Sequence, residues 1–224
     1  MDLENIKKEI LEEMTSNFKF EEIPEDDYTY FSYPKFIKIM KFETRRYRIH
    51  GFGHYMTLHT TGPFINLVTA SFMPSEGSAV PFFLIDMMTV GKKRTVFIEF
   101  YDCTIDHPDM NELKKNKETY DSLPGYKEKP NWYVKERANY SLIKCGIPDD
   151  DEKLHEMILE SVKAYIKEIK KAPIDKKNLP DLKAFRTRMI KEGNPSTPVL
   201  QRVFGKEGTE EYFIKCVMPD VSDE

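Results

Sequence analysis

One stretch of the chain, Val80-Pro81-Phe82-Phe83-Leu84-Ile85-Asp86-Met87-Met88-Thr89-Val90, limits the available folds more than any other. Read as a strand, its alternation puts Phe82, Leu84, Asp86, Met88 and Val90 on one face and Phe83, Ile85 and Met87 on the other. Both faces are apolar, which predicts a central strand covered on each side. A carboxylate in such a strand is costly unless it is paired, hydrogen-bonded or protonated. Desolvation would raise its pKa and make Asp86 a usable proton donor near neutrality. The competing reading is a structural Asp bonded to a backbone turn or a nearby Arg.

The flanking sequence extends the strand pattern. Phe36, Lys38, Met40 and Phe42 alternate with Ile37, Ile39, Lys41 and Glu43. Further strands are predicted over 47–57, 64–73, 82–90 and 95–101, with turn residues at Thr61-Gly62-Pro63 and Gly91-Lys92-Lys93. Short connections favour an antiparallel meander. Before it, Leu3, Ile6, Ile10, Leu11 and Met14 predict an amphipathic helix. From about Asp109 the pattern turns helical. Leu154, Met157, Ile158, Val162, Tyr165, Ile166 and Ile169 form one stripe between an acidic start and a Lys-rich end. Further helices are expected at 179–192, 197–204 and 206–216. The expectation is an α+β fold, a three-layer α/β/α sandwich around an antiparallel sheet. With 224 residues, one domain spanning 1–224 is expected.

Composition narrows the chemistry. The net charge of −4 argues against a dedicated nucleic-acid binder. The 3 Cys are separated and odd in number, which points to a reducing, cytoplasmic setting with no disulfide scaffold. The N-terminus lacks a basic segment followed by an apolar one, and no apolar run reaches membrane-spanning length, so neither a signal peptide nor a membrane is expected. Gly51-Phe52-Gly53 and Phe204-Gly205-Lys206 lack the remaining glycines of a phosphate loop. His50, His54 and His59 invite a metal reading, but their spacing suits a helix while the stretch reads as strand, and no acidic ligand follows; polar strand residues are the default. Lys92-Lys93-Arg94 and Lys114-Lys115-Asn116-Lys117 read as solvated charge, or as steering for an acidic partner.

Three islands, in order, carry a family resemblance. Phe72-Met73-Pro74 is followed seven residues on by Pro81, and five later by Asp86. Pro130-Asn131-Trp132 precedes Ser141-Leu142-Ile143-Lys144, with Lys144 twelve residues beyond the Trp. The chain closes on Val199-Leu200-Gln201-Arg202-Val203-Phe204-Gly205, then Tyr212 and Asp220. Together, across roughly residues 45–220, these resemble the ferredoxin-dependent bilin reductases, with the related red chlorophyll catabolite reductases.

The resemblance implies a linear tetrapyrrole, biliverdin-like, held between the sheet and the C-terminal helices. It implies no bound metal or flavin, and electrons delivered singly by ferredoxin or flavodoxin. Asp86 takes the place of the family's central catalytic carboxylate. Lys127 and Lys144 fall where the family has Arg, near the substrate's carboxylates; Lys would hold them more loosely. Thr69 stands seventeen residues before Asp86, where phycocyanobilin-forming members have His. Asn194-Pro195-Ser196-Thr197 stands where the resemblance implies a motif whose acidic residue donates a proton; that residue has become Asn194 or Pro195, depending on where one residue is deleted, and Asn194 is expected as a polar contact. The Gly of the family's Phe-Gly is Leu84 here. The alternative is a non-catalytic tetrapyrrole binder or carrier on the same fold; a third reading is a pocket for an unrelated apolar ligand.

Overall fold

The structure, a computed structural model, describes residues 1–75, 77–104, 107–172 and 179–220. Its centre is an eight-stranded sheet, antiparallel at every pairing. The strands are β1 Phe20–Glu22, β2 Tyr30–Tyr33, β3 Met40–Ile49, β4 Gly53–Thr61, β5 Asn66–Pro74, β6 Phe82–Val90, β7 Lys93–Tyr101 and β8 Leu142–Gly146. The order is β1-β3-β4-β5-β6-β7-β8, with β2 also paired to β3. β6, which holds Asp86, is therefore interior. Helices α1 Leu3–Asn17, α2 Asn111–Tyr120, α3 Trp132–Glu136, α4 Asp151–Lys171, α5 Leu179–Glu192 and α6 Thr197–Tyr212 surround the sheet, and a π-helical turn, Phe213–Val217, follows α6. The expected α+β class and antiparallel sheet stand.

One face of the sheet is closed by the N-terminal and long helices. Leu3, Ile6, Ile10 and Met14 of α1 and the full predicted stripe of α4 are buried with Phe72, Phe83, Ile85, Met87, Val96, Ile98 and Phe100. α1 starts where the Asp2 carboxylate accepts the Asn5 N–H at 3.1 Å, supplying an N-cap. In α4, acidic residues in the first turn and lysines in the last match the helix dipole. The Tyr165 hydroxyl donates to the Pro81 carbonyl at 2.6 Å, tying α4 to the start of β6. The opposite face is covered in part by α5, α6 and the C-terminal turn.

Several boundaries differ from the sequence reading. The strand expected from Phe36 begins at Met40. Residues 34–38 form a turn in which the Pro34 carbonyl accepts from both Ile37 N–H (3.2 Å) and Lys38 N–H (2.8 Å). His50-Gly51-Phe52 is the β3–β4 turn and not mid-strand, with Gly51 at φ 77°. Gly53 admits no side chain: a Cβ there would sit 2.3 Å from the Met73 carbonyl oxygen. The helices read as 197–204 and 206–216 are joined through Gly205, which keeps a non-helical φ of 71°. β8 lies in a region whose pattern reads as helical.

Candidate active site

Antiparallel register fixes what surrounds Asp86. Thr69 of β5 and Phe97 of β7 are its direct cross-strand neighbours. Thr69 Oγ1 donates a hydrogen bond to Asp86 Oδ1. One step along the same face, Leu84 pairs with Glu99, so a second carboxylate lies diagonally across from Asp86. Such diagonal neighbours lie about 7–8 Å apart.

Glu99 is held from two sides. Tyr101 donates its hydroxyl proton to Glu99 Oε1 at 3.0 Å, and Arg137 Nη2 pairs with the same oxygen. Arg137 also reaches Glu128 Oε2 at 2.5 Å, so one guanidinium serves two carboxylates. Burial nevertheless pushes Glu99 up to about 7: the attraction of Arg137 opposes the shift, and the nearby Asp86 adds to it. Burial likewise lifts Asp86 to about 6, against the Thr69 hydrogen bond. Two acids on adjacent strands thus hold protons into the range where proton transfer at neutral pH is efficient.

The covering on this face is uneven. At one end Met73, Phe82 and Tyr101 pack beneath Leu182, Phe185, Met189 and Met218. Ser71 donates its hydroxyl to the Val217 carbonyl at 2.8 Å there. Toward β3, Phe42, Met56 and Leu58 pack beneath Leu200, Tyr212, Phe213 and Cys216, with the Thr44 and Tyr212 hydroxyls 3.0 Å apart. Between these clusters Leu67, Leu84, Asp86, Met88 and Phe97 remain only partly buried. Tyr126 places its ring edge-on to Phe97, centroids 5.4 Å apart, and forms a rim on the β8 side. The result is a partly covered strip of sheet, the candidate cleft, with apolar and aromatic residues on its floor and Asp86 near its middle.

The other sequence candidates separate. Thr69 is in the cleft, bonded to Asp86. Lys127 is exposed, directly after the rim residue Tyr126. Lys144 pairs with Val96, whose side chain belongs to the helix-covered core, so it lies on the opposite face from Asp86. Its ammonium donates to the Asp121 (2.8 Å) and Leu123 (3.0 Å) carbonyls beyond α2, and burial lowers its pKa. Lys144 fastens α2 to the sheet; the position read for a substrate carboxylate is occupied by a structural cation. Asn194 shapes the α5–α6 connection: its side-chain oxygen accepts from Ser196 N–H at 2.8 Å. Next to it, Trp132 Nε1 donates to the Gly193 carbonyl at 2.9 Å, joining the second sequence island to the α5–α6 connection.

The three histidines diverge. His50 is exposed in its turn, and His59 sits on the helix-covered face, 2.6 Å from both Glu4 and Asn66. His54 is buried, and burial first, with Arg46 and Arg48 adding, holds it down to about 3 and hence neutral. Among the described residues no group of three or more His, Cys, Asp or Glu is placed to hold a metal. The residues that sequence reasoning missed are Glu99, Arg137 and Tyr126. Glu99 carried a signal of the Asp86 kind: an acid between Phe97 and Tyr101 on one face of an apolar strand.

No protein-family model matches the chain, and no curated protein sequence matches it either. Among solved structures it is similar to phytochromobilin synthase from tomato, determined in complex with biliverdin. The TM-score is 0.78 at 12% identity, over 94% of this chain and 80% of that one. The sheet order, the helices on both faces and this match agree: the chain has the fold of the ferredoxin-dependent bilin reductases.

Proposed function

We propose that the chain reduces an open-chain tetrapyrrole of the biliverdin class in the cleft over β5–β7, using electrons from a ferredoxin or flavodoxin. The observation that carries this reading is the Asp86 carboxyl. It is partly accessible, elevated to about 6, and set mid-cleft in a fold shared with a biliverdin-bound protein. Each double-bond reduction takes two electrons from the donor protein and two protons. Asp86 supplies one proton to the pigment radical and is recharged from solvent through the open side, and the second proton comes from solvent by the same open side. Thr69 orients the carboxyl through its hydrogen bond. Phe97, Leu84 and Met88 give the flat apolar bed that a conjugated macrocycle needs. Lys127, at the rim, is positioned to meet a propionate that projects to solvent.

Adding the protein to biliverdin should shift the pigment's visible band, and reduced ferredoxin should then convert it. Asp86→Asn should keep the binding shift and lose turnover by about 10²–10⁴-fold, the usual worth of a positioned acid. No shift with any open-chain tetrapyrrole would defeat the reading. A second reading, a carrier without turnover, draws on Asn194-Pro195: neither residue in place of the family's second acid can donate a proton as an acid, and Asn194 is engaged in a turn. A binding shift followed by no conversion under reducing conditions would select it.

A further inference from the structure

Several of the most exposed large apolar side chains cluster at one end of the sheet. Phe36 (96% exposed), Ile37 (71%) and Ile39 (48%) stand in the β2–β3 connection, and Phe64 (84%) in the β4–β5 connection. Val90, at the β6–β7 turn, is exposed as well. Register puts all three connections at the same end: Lys41 pairs with Thr61, Thr61 with Asn66, Asn66 with Thr89, and Val90 with Lys93. The first two connections are neighbours, since Gly62 lies beside the Met40 side chain and the Ile39 carbonyl.

Charge within the three connections has one sign. Lys35, Lys38 and Lys41 alternate with the apolar residues, and Lys92 and Lys93 occupy the third turn. Residues 33–42, 61–66 and 87–98 contain no Asp or Glu, in a chain whose net charge is −4. The acidic starts of α1 and α4 reach this end only on the covered face, where Glu4 pairs with His59 of β4 at 2.6 Å and Asp151 with Arg94 of β7 at 2.7 Å. At the β2–β3 tip the Ile37 and Lys38 N–H groups are both satisfied by the Pro34 carbonyl. Internally bonded peptide groups lower the cost of entering a medium without water.

We propose that this end of the sheet seats on an anionic lipid surface. Phe36, Ile37 and Phe64 enter the boundary between headgroups and acyl chains, while the five lysines meet lipid phosphates. A lipid surface fits better than a protein partner for two reasons. The apolar side chains stand on outlying loop tips, Phe36 at 96% and Phe64 at 84% exposure, which suits entry into a soft medium. The cations in the tips are lysines, depleted at protein interfaces; the one arginine nearby, Arg94, is turned to Asp151 at 2.7 Å. The expectation of no membrane contact rested on the lack of a spanning segment. Among the described residues no helix is long and apolar enough to cross a bilayer, and a seated tip needs none.

Cosedimentation with phosphatidylcholine vesicles, with and without phosphatidylglycerol, tests this. The protein should bind only the anionic vesicles, and high salt should release it. Phe36→Ser with Phe64→Ser should weaken binding at least about tenfold. Lys35→Gln, Lys38→Gln and Lys41→Gln should each cost about fivefold. All are fully exposed changes, so thermal melting should not move. No binding of the unaltered protein to anionic vesicles, or equal binding by the double Phe variant, overturns the proposal. So does ultracentrifugation showing a dimer that Phe36→Ser with Phe64→Ser dissolves without lipid, which would assign the patch to a second copy. Loss of ferredoxin binding in the same variant, with vesicle binding intact, would assign it to the electron donor.

Discussion

The two faces of the sheet are built from the same strands and have opposite characters. On the helix-covered face Tyr55, Phe72, Phe83 and Phe100 form a row of rings, neighbouring centroids 4.8, 4.8 and 4.4 Å apart, and Tyr165 meets Phe83 edge-on at 4.9 Å. On the cleft face the intervening residues are Ser71, Thr69, Leu84, Asp86, Phe97 and Glu99. One residue of register separates a dry aromatic core from a surface carrying two elevated acids. The closed face holds the strands flat and fixed, and that rigidity permits ionisable groups to be kept partly desolvated on the other side.

The sharpest way to break this contrast is to exchange truncations across it. Phe83→Ala should destabilise the protein by about 3–5 kcal/mol in denaturant unfolding, because a buried ring leaves a cavity. Leu84→Ala, one residue along but partly exposed, should cost about 1–2 kcal/mol and weaken pigment binding instead. Equal losses would mean that the faces are energetically alike.

Arg137→Met tests whether the cleft face depends on charge pairing. Removing the guanidinium leaves Glu99 and Glu128 without their shared partner. The expected cost is about 3–5 kcal/mol at pH 8. It should shrink at pH 5.5, below the value near 7 that Glu99 already holds, because the carboxyl is then protonated in both proteins. A loss independent of pH would assign Arg137 a packing role only.

The smallest effect concerns Asp86 itself. Its folded pKa of about 6 lies above the ordinary 3.8, so the folded state binds the proton more tightly. Stability is favoured below the unfolded value and declines as pH rises toward 6. Asp86→Asn removes that decline. Relative to the unaltered protein it should gain about 2 kcal/mol between pH 4 and pH 7 in urea unfolding. A flat difference across that range would mean that Asp86 is not desolvated.

Much of this was legible in the residues because β5, β6 and β7 are unbroken strand-forming runs bounded by turn signals, and α4 keeps its stripe for 21 residues. The parity of Asp86 also identifies its face. What escaped the sequence was set by long-range pairing. β1 and β2 are too short to show a period, and β8 is stabilised by its partner β7 more than by its own pattern. The resemblance alone places Lys144 near a substrate's carboxylates; the register of β8, a strand its own pattern does not show, puts it on the face opposite Asp86. His50 to Gly53 alternate like a strand, yet Gly51 and Gly53 at positive φ bend the chain there. Glu99 was readable by the same argument as Asp86, but its cost becomes apparent only when Arg137 arrives from 38 residues away.

Trp132 is the chain's single tryptophan, and its place at the hinge of the α5–α6 cover has an optical consequence. Its indole bonds Gly193, lies under the Arg188 guanidinium at 4.5 Å and touches the Phe185 ring at 6.1 Å. All of the protein's indole emission therefore originates at the junction between cover and cleft wall. Any shift of α5 that breaks the indole bond would alter its colour, and a pigment in the cleft would drain its excited state. The fold comes with its own gauge of filling and closing, readable without a label.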